Sequence, residues 1–136
     1  MLGRLLQLIL VGVALSRDPD GTYTKYVPDP YLILTYTFSN DAQKVEINVS
    51  CGTGVRPISG TFPVTKAYPD TSVYAVGTVS REWTTFTSSF VARCEKYTPL
   101  QSGDFSTILY APKFDHPTVW VGGIEITLIH KELPSH

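Results

Sequence analysis

The stretch ALSRDPDGTYTKY, Ala14 to Tyr26, can be read in two ways that lead to different molecules. It ends an apolar run, Leu5 to Leu15, with Arg4 ahead of it and the small residues Ala14 and Ser16 at its close. Those are the parts of a secretory signal cleaved after Ser16. The run is too short for an ordinary membrane-spanning helix, which takes about 20 apolar residues. The same stretch also holds Asp18-Pro19-Asp20-Gly21 between two strand-like segments. Pro19 presets φ for a turn, Asp18 can accept from the turn amides, and Gly21 can take positive φ. Before the turn, Val11, Val13 and Leu15 alternate with Gly12, Ala14 and Ser16; after it, Thr22 to Val27 is β-branched and aromatic. Strand, turn and strand make a hairpin signal. Cleavage would leave the turn without its first strand. The retained strand is therefore the preferred reading, and a signal followed by an arm is the alternative.

With 136 residues the chain reads as a single domain, 1–136, large enough to bury a core without a metal. Its net charge of -1, with 17 % charged residues, gives no basic surplus for nucleic acid or an anionic membrane. Ten Gly and ten Pro among many Thr, Val, Tyr and Phe favour strands separated by turns. Cys51 and Cys94 are the only cysteines and allow one disulfide at most, a pairing tied to secretion. No Cys-x-x-Cys or His-x-His pair occurs, and His116, His130 and His136 are scattered, so they read as loop or terminal residues. No metal and no cofactor are expected.

Outward from the opening stretch the chain alternates strands with punctuation. Tyr31 to Phe38 is mostly apolar. Lys44 to Cys51 has Val45, Ile47, Val49 and Cys51 on one face and Lys44, Glu46, Asn48 and Ser50 on the other, the period of a half-buried strand. Residues 55–71 read as a long loop with a short strand near Thr61 to Val64. Ser72 to Ser80 is the next strand. Trp83 to Cys94 reads as a long strand, with Phe86, Phe90, Ala92 and Cys94 of one parity. Ser106 to Ala111 is a strand, and Thr118 to His130 is the last, broken in phase at Gly122-Gly123 as by a β-bulge. No segment makes a convincing helix. About eight or nine strands with turn signals between them suit an all-β, two-sheet antiparallel sandwich or jelly roll.

REWTTFTSSFVA, Arg81 to Ala92, resembles a recurrent element of the galactose-binding-like jelly rolls, best known as the carbohydrate-binding modules of xylanases and cellulases. Trp83, Phe86, Thr87 and Phe90 fit that element, PTVWVGGIEITLI resembles the family's closing strand, and YLILTYTF matches the strand that opens its middle section. The likeness spans Tyr31 to Ile129. It implies a jelly-roll body over 31–130 and a structural role for Trp83; the family's opening section is longer than what precedes Tyr31, so the hairpin over 1–30, or another chain, would have to complete the sandwich. The family's bulge Asp helps hold a calcium; Gly122 and Gly123 stand there instead, so no calcium is carried over.

Sugar recognition in such modules stacks aromatic rings on pyranose faces, and Tyr74, Tyr110 and Trp120 are the candidate contacts with a glycan or a partner. Trp120 has the opposite parity to Val119 and Val121 and need not be in the core. Asn48-Val49-Ser50 is a glycosylation sequon on the solvent-side parity. Seven carboxylates, Glu46, Glu82, Glu95, Glu125, Asp70, Asp104 and Asp115, show no spacing that pairs two in one cleft, and no Gly-x-Ser-x-Gly elbow occurs. No enzyme is expected. The preferred expectation is a structural interaction protein, a component of a phage or virus particle or other extracellular assembly, with other protein chains as partners or a homo-oligomer. The alternative is a secreted or displayed carbohydrate-binding module. Neither reading involves nucleic acid or a membrane span.

Overall fold

The computed structural model describes residues 17–54, 56–67 and 72–131. The first strand of the expected N-terminal hairpin lies outside these residues. The described chain forms nine strands and one helix: β1 (Gly21–Pro28), β2 (Tyr31–Ser39), β3 (Lys44–Ser50), β4 (Ile58–Lys66), β5 (Val73–Val76), α1 (Arg81–Arg93), β6 (Thr107–Ala111), β7 (His116–Val121), β8 (Ile124–Thr127) and β9 (Ile129–His130). A 3-10 turn, Glu95–Tyr97, follows the helix.

The strands make one antiparallel sheet in the order β8-β7-β6-β5-β4-β3-β2-β1-β9. A jelly roll needs long connections that cross between sheets. Here each strand from β1 to β8 pairs with its neighbour in sequence, and the continuity comes from two strands that change partners. β4 pairs with β3 as far as Pro63 and with β5 from Val64 onward. At the other side, β8 pairs with β7 and runs through Leu128 into β9, which pairs with β1. The Leu128 N–H donates to the Pro117 carbonyl at 2.8 Å and the Lys131 N–H to the Thr22 carbonyl at 2.7 Å. This last segment stitches the first strand to the seventh, and the sheet is nearly closed into a barrel.

Alternation decides what fills the interior. Leu32, Leu34, Tyr36 and Phe38 of β2, and Val45, Ile47 and Val49 of β3, are each at most 2 % exposed. The residues between them, such as Thr35, Thr37, Glu46 and Asn48, face outward. The inner set is large and aromatic, with Tyr23, Tyr36, Phe38, Phe62, Phe105 and Tyr110 among the biggest buried side chains. A barrel of about eight strands is just wide enough to be filled by its own side chains.

The segment expected as a strand over Trp83 to Cys94 is the helix α1. A spacing of four, Phe86 to Phe90, satisfies both a period of 2 and a period of 3.6. Ala92 breaks the tie: it shares the strand parity yet is exposed, whereas Trp83, Phe86 and Phe90 make one helical face. Ser80 starts the helix, its Oγ accepting from the Trp83 N–H at 3.1 Å. Glu82 in the first turn and Arg93 in the last complement the helix dipole. Helix-disfavouring threonines are accommodated by bonding backward, Thr87 Oγ1 donating to the Trp83 carbonyl at 3.0 Å. The face packs on aromatic rings: Phe86 lies 5.5 Å from Phe62 and 5.2 Å from Phe105, and Phe90 lies 4.9 Å from Phe105. The stretch that carries the likeness to the jelly-roll modules is thus helical. Cys51 and Cys94 are bonded, tying the end of β3 to the end of α1.

Other boundaries differ too. β4 is a full strand inside the expected loop, and β5 is confined to Val73–Val76 of the expected Ser72 to Ser80. Gly122 and Gly123, with φ of 60° and 78°, form a two-residue turn between β7 and β8 where a bulge was expected. His116 and His130 stand in strands β7 and β9 and not in loops.

Candidate binding site

Two polar constellations stand out. The first is built on the outer face of β7. Val119 and Val121 point inward and are fully buried; Trp120, between them, points outward and is half-buried. Beside it the loop Gln101–Ser106 is fastened to the sheet. The Phe105 N–H donates to the Trp120 carbonyl at 2.8 Å. Asp104, only 5 % exposed, accepts from the Gln101 N–H at 2.7 Å and from the Gly123 N–H at 3.3 Å. Gly122 must be glycine here, since a Cβ would come within 2.4 Å of the Tyr97 carbonyl oxygen. Loop, turn and strand enclose an open depression of about 440 Å³, lined by Trp120, Gln101, Ser102 and Thr107 with Gly103, Asp104 and Gly123. The side-chain amide of Gln101 and the hydroxyls of Ser102 and Thr107 have no hydrogen-bond partner among the described residues. The outward direction of Trp120 follows from its parity along β7. Gln101, Ser102 and Thr107 carry no such signal in the sequence, since they come from a loop and from β6 and are gathered only by the Asp104 clamp.

The second constellation closes one end of the barrel around Asp115. Tyr23 and Tyr110 both donate to its Oδ1, at 2.7 and 2.5 Å, and His130 Nδ1 lies 3.0 Å from Oδ2. Arg17 approaches Oδ1 at 3.9 Å and donates to the Pro112 carbonyl at 3.0 Å. The Tyr23 ring stacks on His130 at 4.8 Å. Next to this hub Tyr74 donates to Asp18, which lies 3.9 Å from Lys66 Nζ. Burial, and after it hydrogen bonding to the carboxylates, raises the Tyr23 and Tyr74 hydroxyls well above the usual phenol range. Burial pushes the Asp115 carboxyl up, but the Tyr110 and Tyr23 hydrogen bonds and the charges of His130 and Arg17 outweigh it and hold it below the usual carboxylate range. A carboxylate engaged on both oxygens is an anchor for β1, β6 and β9, not a free base.

Of the candidate contacts, then, Trp120 lines a depression, whereas Tyr74 and Tyr110 are 3 % and 1 % exposed with their hydroxyls engaged. Asn48 is half-buried on the outer face of β3. Glu125 is exposed as the cross-strand partner of Trp120, and Glu46, Glu82 and Glu95 are exposed elsewhere. Asp70 lies outside the described residues. No family model, curated protein or solved structure matches the chain. Among the described residues no three His, Cys, Asp or Glu side chains converge as a metal would need, and no helix is long and apolar enough to cross a membrane.

The outer face also carries an apolar strip. Tyr26 on β1, 55 % exposed, pairs with Ile33 on β2, 37 % exposed, and Ile129 on β9, 51 % exposed, pairs with Thr24.

Proposed function

We propose that this chain is a non-catalytic recognition module that holds a hydroxyl-rich ligand, of the glycan class, in the depression beside Trp120. One observation carries the reading: an indole flanked by three polar side chains with unclaimed hydrogen-bonding capacity, on a wall where Asp104 ties the loop to the β7–β8 turn. A pyranose ring offers a C–H face to an aromatic ring and hydroxyls to amides and hydroxyl groups, so this combination matches its chemistry. Because large side chains fill the barrel, recognition belongs on its outside. Tyr74 and Tyr110 serve the packing.

The test is a panel of immobilised glycans probed with the protein and with Trp120→Ala and Gln101→Ala. A glycan-selective signal that falls about fivefold or more in Trp120→Ala is expected, since an aromatic contact is worth about 1 kcal/mol beyond its buried area. An unchanged thermal midpoint keeps that loss separate from unfolding. Binding that survives Trp120→Ala, or a panel with no signal, contradicts the reading.

The apolar strip of Tyr26, Ile33 and Ile129 favours a second reading, a structural interaction protein in a larger assembly such as a virus particle. A defined oligomer in light scattering that Ile33→Lys disperses supports that role. A monomer at high concentration speaks against it.

A further inference from the structure

We infer that Asn48 is an N-glycosylation site, carrying its glycan on the side of the barrel away from the Trp120 depression. The inference is independent of what that depression binds. Asn48-Val49-Ser50 is the only Asn-x-Ser/Thr sequence in the chain. In the fold Asn48 faces outward from β3, between the cross-strand partners Thr35 on β2 and Ser59 on β4. Its neighbours along the same face are Glu46 and Ser50. The side chains directly beside Asn48 are short and polar apart from Glu46, with Ile33 the nearest exposed apolar side chain, opposite Ser50, so the face leaves room for a bulky, hydrated group.

The acceptor is chemically free. The Asn48 amide has no hydrogen-bond partner among the described residues, whereas the neighbouring Thr35 hydroxyl is already paired with Thr24 at 3.1 Å. Attaching a sugar to Nδ2 therefore breaks no contact of the fold. The Cys51–Cys94 disulfide belongs to an oxidising environment, and the eukaryotic secretory pathway supplies both that environment and the glycosyl donor. In the transfer, Nδ2 of Asn48 forms a bond to the anomeric carbon of a lipid-pyrophosphate-linked oligosaccharide. The bond from that carbon to the pyrophosphate oxygen breaks, the lipid pyrophosphate leaves, and one amide proton passes to a base. Transfer to the extended chain before folding removes any obstacle from the strand itself.

β3 and β7 are four strands apart in the sheet order, so a glycan on Asn48 leaves the Trp120 depression open.

The full chain, secreted from a eukaryotic host, is analysed by intact mass and by peptide mapping before and after digestion with an amidase that releases N-glycans and turns the acceptor Asn into Asp. One glycan per chain, with the conversion at Asn48, is the expected result. Ser50→Thr keeps the modification and Ser50→Ala abolishes it, while both variants retain the disulfide and the thermal midpoint within a few degrees. A secreted, disulfide-bonded product with Asn48 unmodified overturns the inference. So does a product that stays in the cell with free thiols.

Discussion

Asp115 is the residue on which one end of the barrel depends, because it accepts from Tyr23 and Tyr110 and neighbours His130 and Arg17. Asp115→Ala leaves two buried hydroxyls without an acceptor and is expected to destabilise the fold by about 3 kcal/mol, measured by denaturant titration. The same carboxylate sets an acid limit. Its folded pKa lies below its unfolded value, so its contribution is complete above about pH 4 and is lost as pH falls through the lower folded value. Denaturation midpoints between neutral and strongly acid pH should fall less steeply for Asp115→Asn than for the unaltered protein. Equal acid slopes would refute that role. None of this could be read from the sequence, since Asp115 meets Tyr23 across 92 positions of chain and His130 through a separate strand. Trp120 was legible because its outward direction follows from the parity of Val119 and Val121, which needs no knowledge of the partner strands.

At the scale of elements, α1 is the part where local pattern and fold part company. Thr84, Thr85 and Thr87 disfavour a helix, and four-residue spacing of phenylalanines fits either period. The Ser80 cap, the aromatic bed of Phe62 and Phe105, and the Cys94 tether decide for the helix. Ser80→Ala is expected to cost about 1 kcal/mol. Replacing Cys51 and Cys94 together by serine should cost about 4 kcal/mol, because the bond closes a loop across 43 positions. Thermal and denaturant unfolding read both. The β7–β8 turn offers a paired comparison: Gly122→Ala meets the Tyr97 carbonyl, whereas a Cβ at Gly54, also at positive φ, meets nothing within 4 Å. Both carry the backbone penalty of about 1 kcal/mol, and only Gly122→Ala should lose substantially more. Strands β2 and β3 were plain in the sequence because their alternation is complete. The Gly122-Gly123 break was visible as a phase change, but a bulge and a tight turn leave the same mark until the partner strand is known.

For the whole molecule, closure rests on a short splice. Among the described residues β9 pairs with β1 through Tyr23↔His130 and Thr24↔Ile129, extended by the Lys131 N–H to the Thr22 carbonyl, against a full-length ladder between β1 and β2. Hydrogen exchange should therefore find the β9 amides among the first strand amides to exchange and those of β2 and β3 among the last. That the chain is β-rich followed from composition and turn spacing. That its strands run as a meander nearly closed by β8 and β9 did not, because sheet order is set by pairings between distant segments. Large side chains fill the barrel, and the Trp120 depression is the place on its outer wall where an indole and unclaimed polar groups meet. The most direct test is a nuclear magnetic resonance titration of the labelled protein with the oligosaccharide selected by the glycan panel. The account predicts saturable shifts of the Trp120 indole N–H, the Gln101 side-chain amide and the Gly123 backbone amide, with the β2 and β3 amides still. Shifts confined to Tyr26, Ile33 and Ile129, or none at saturating sugar, would contradict it.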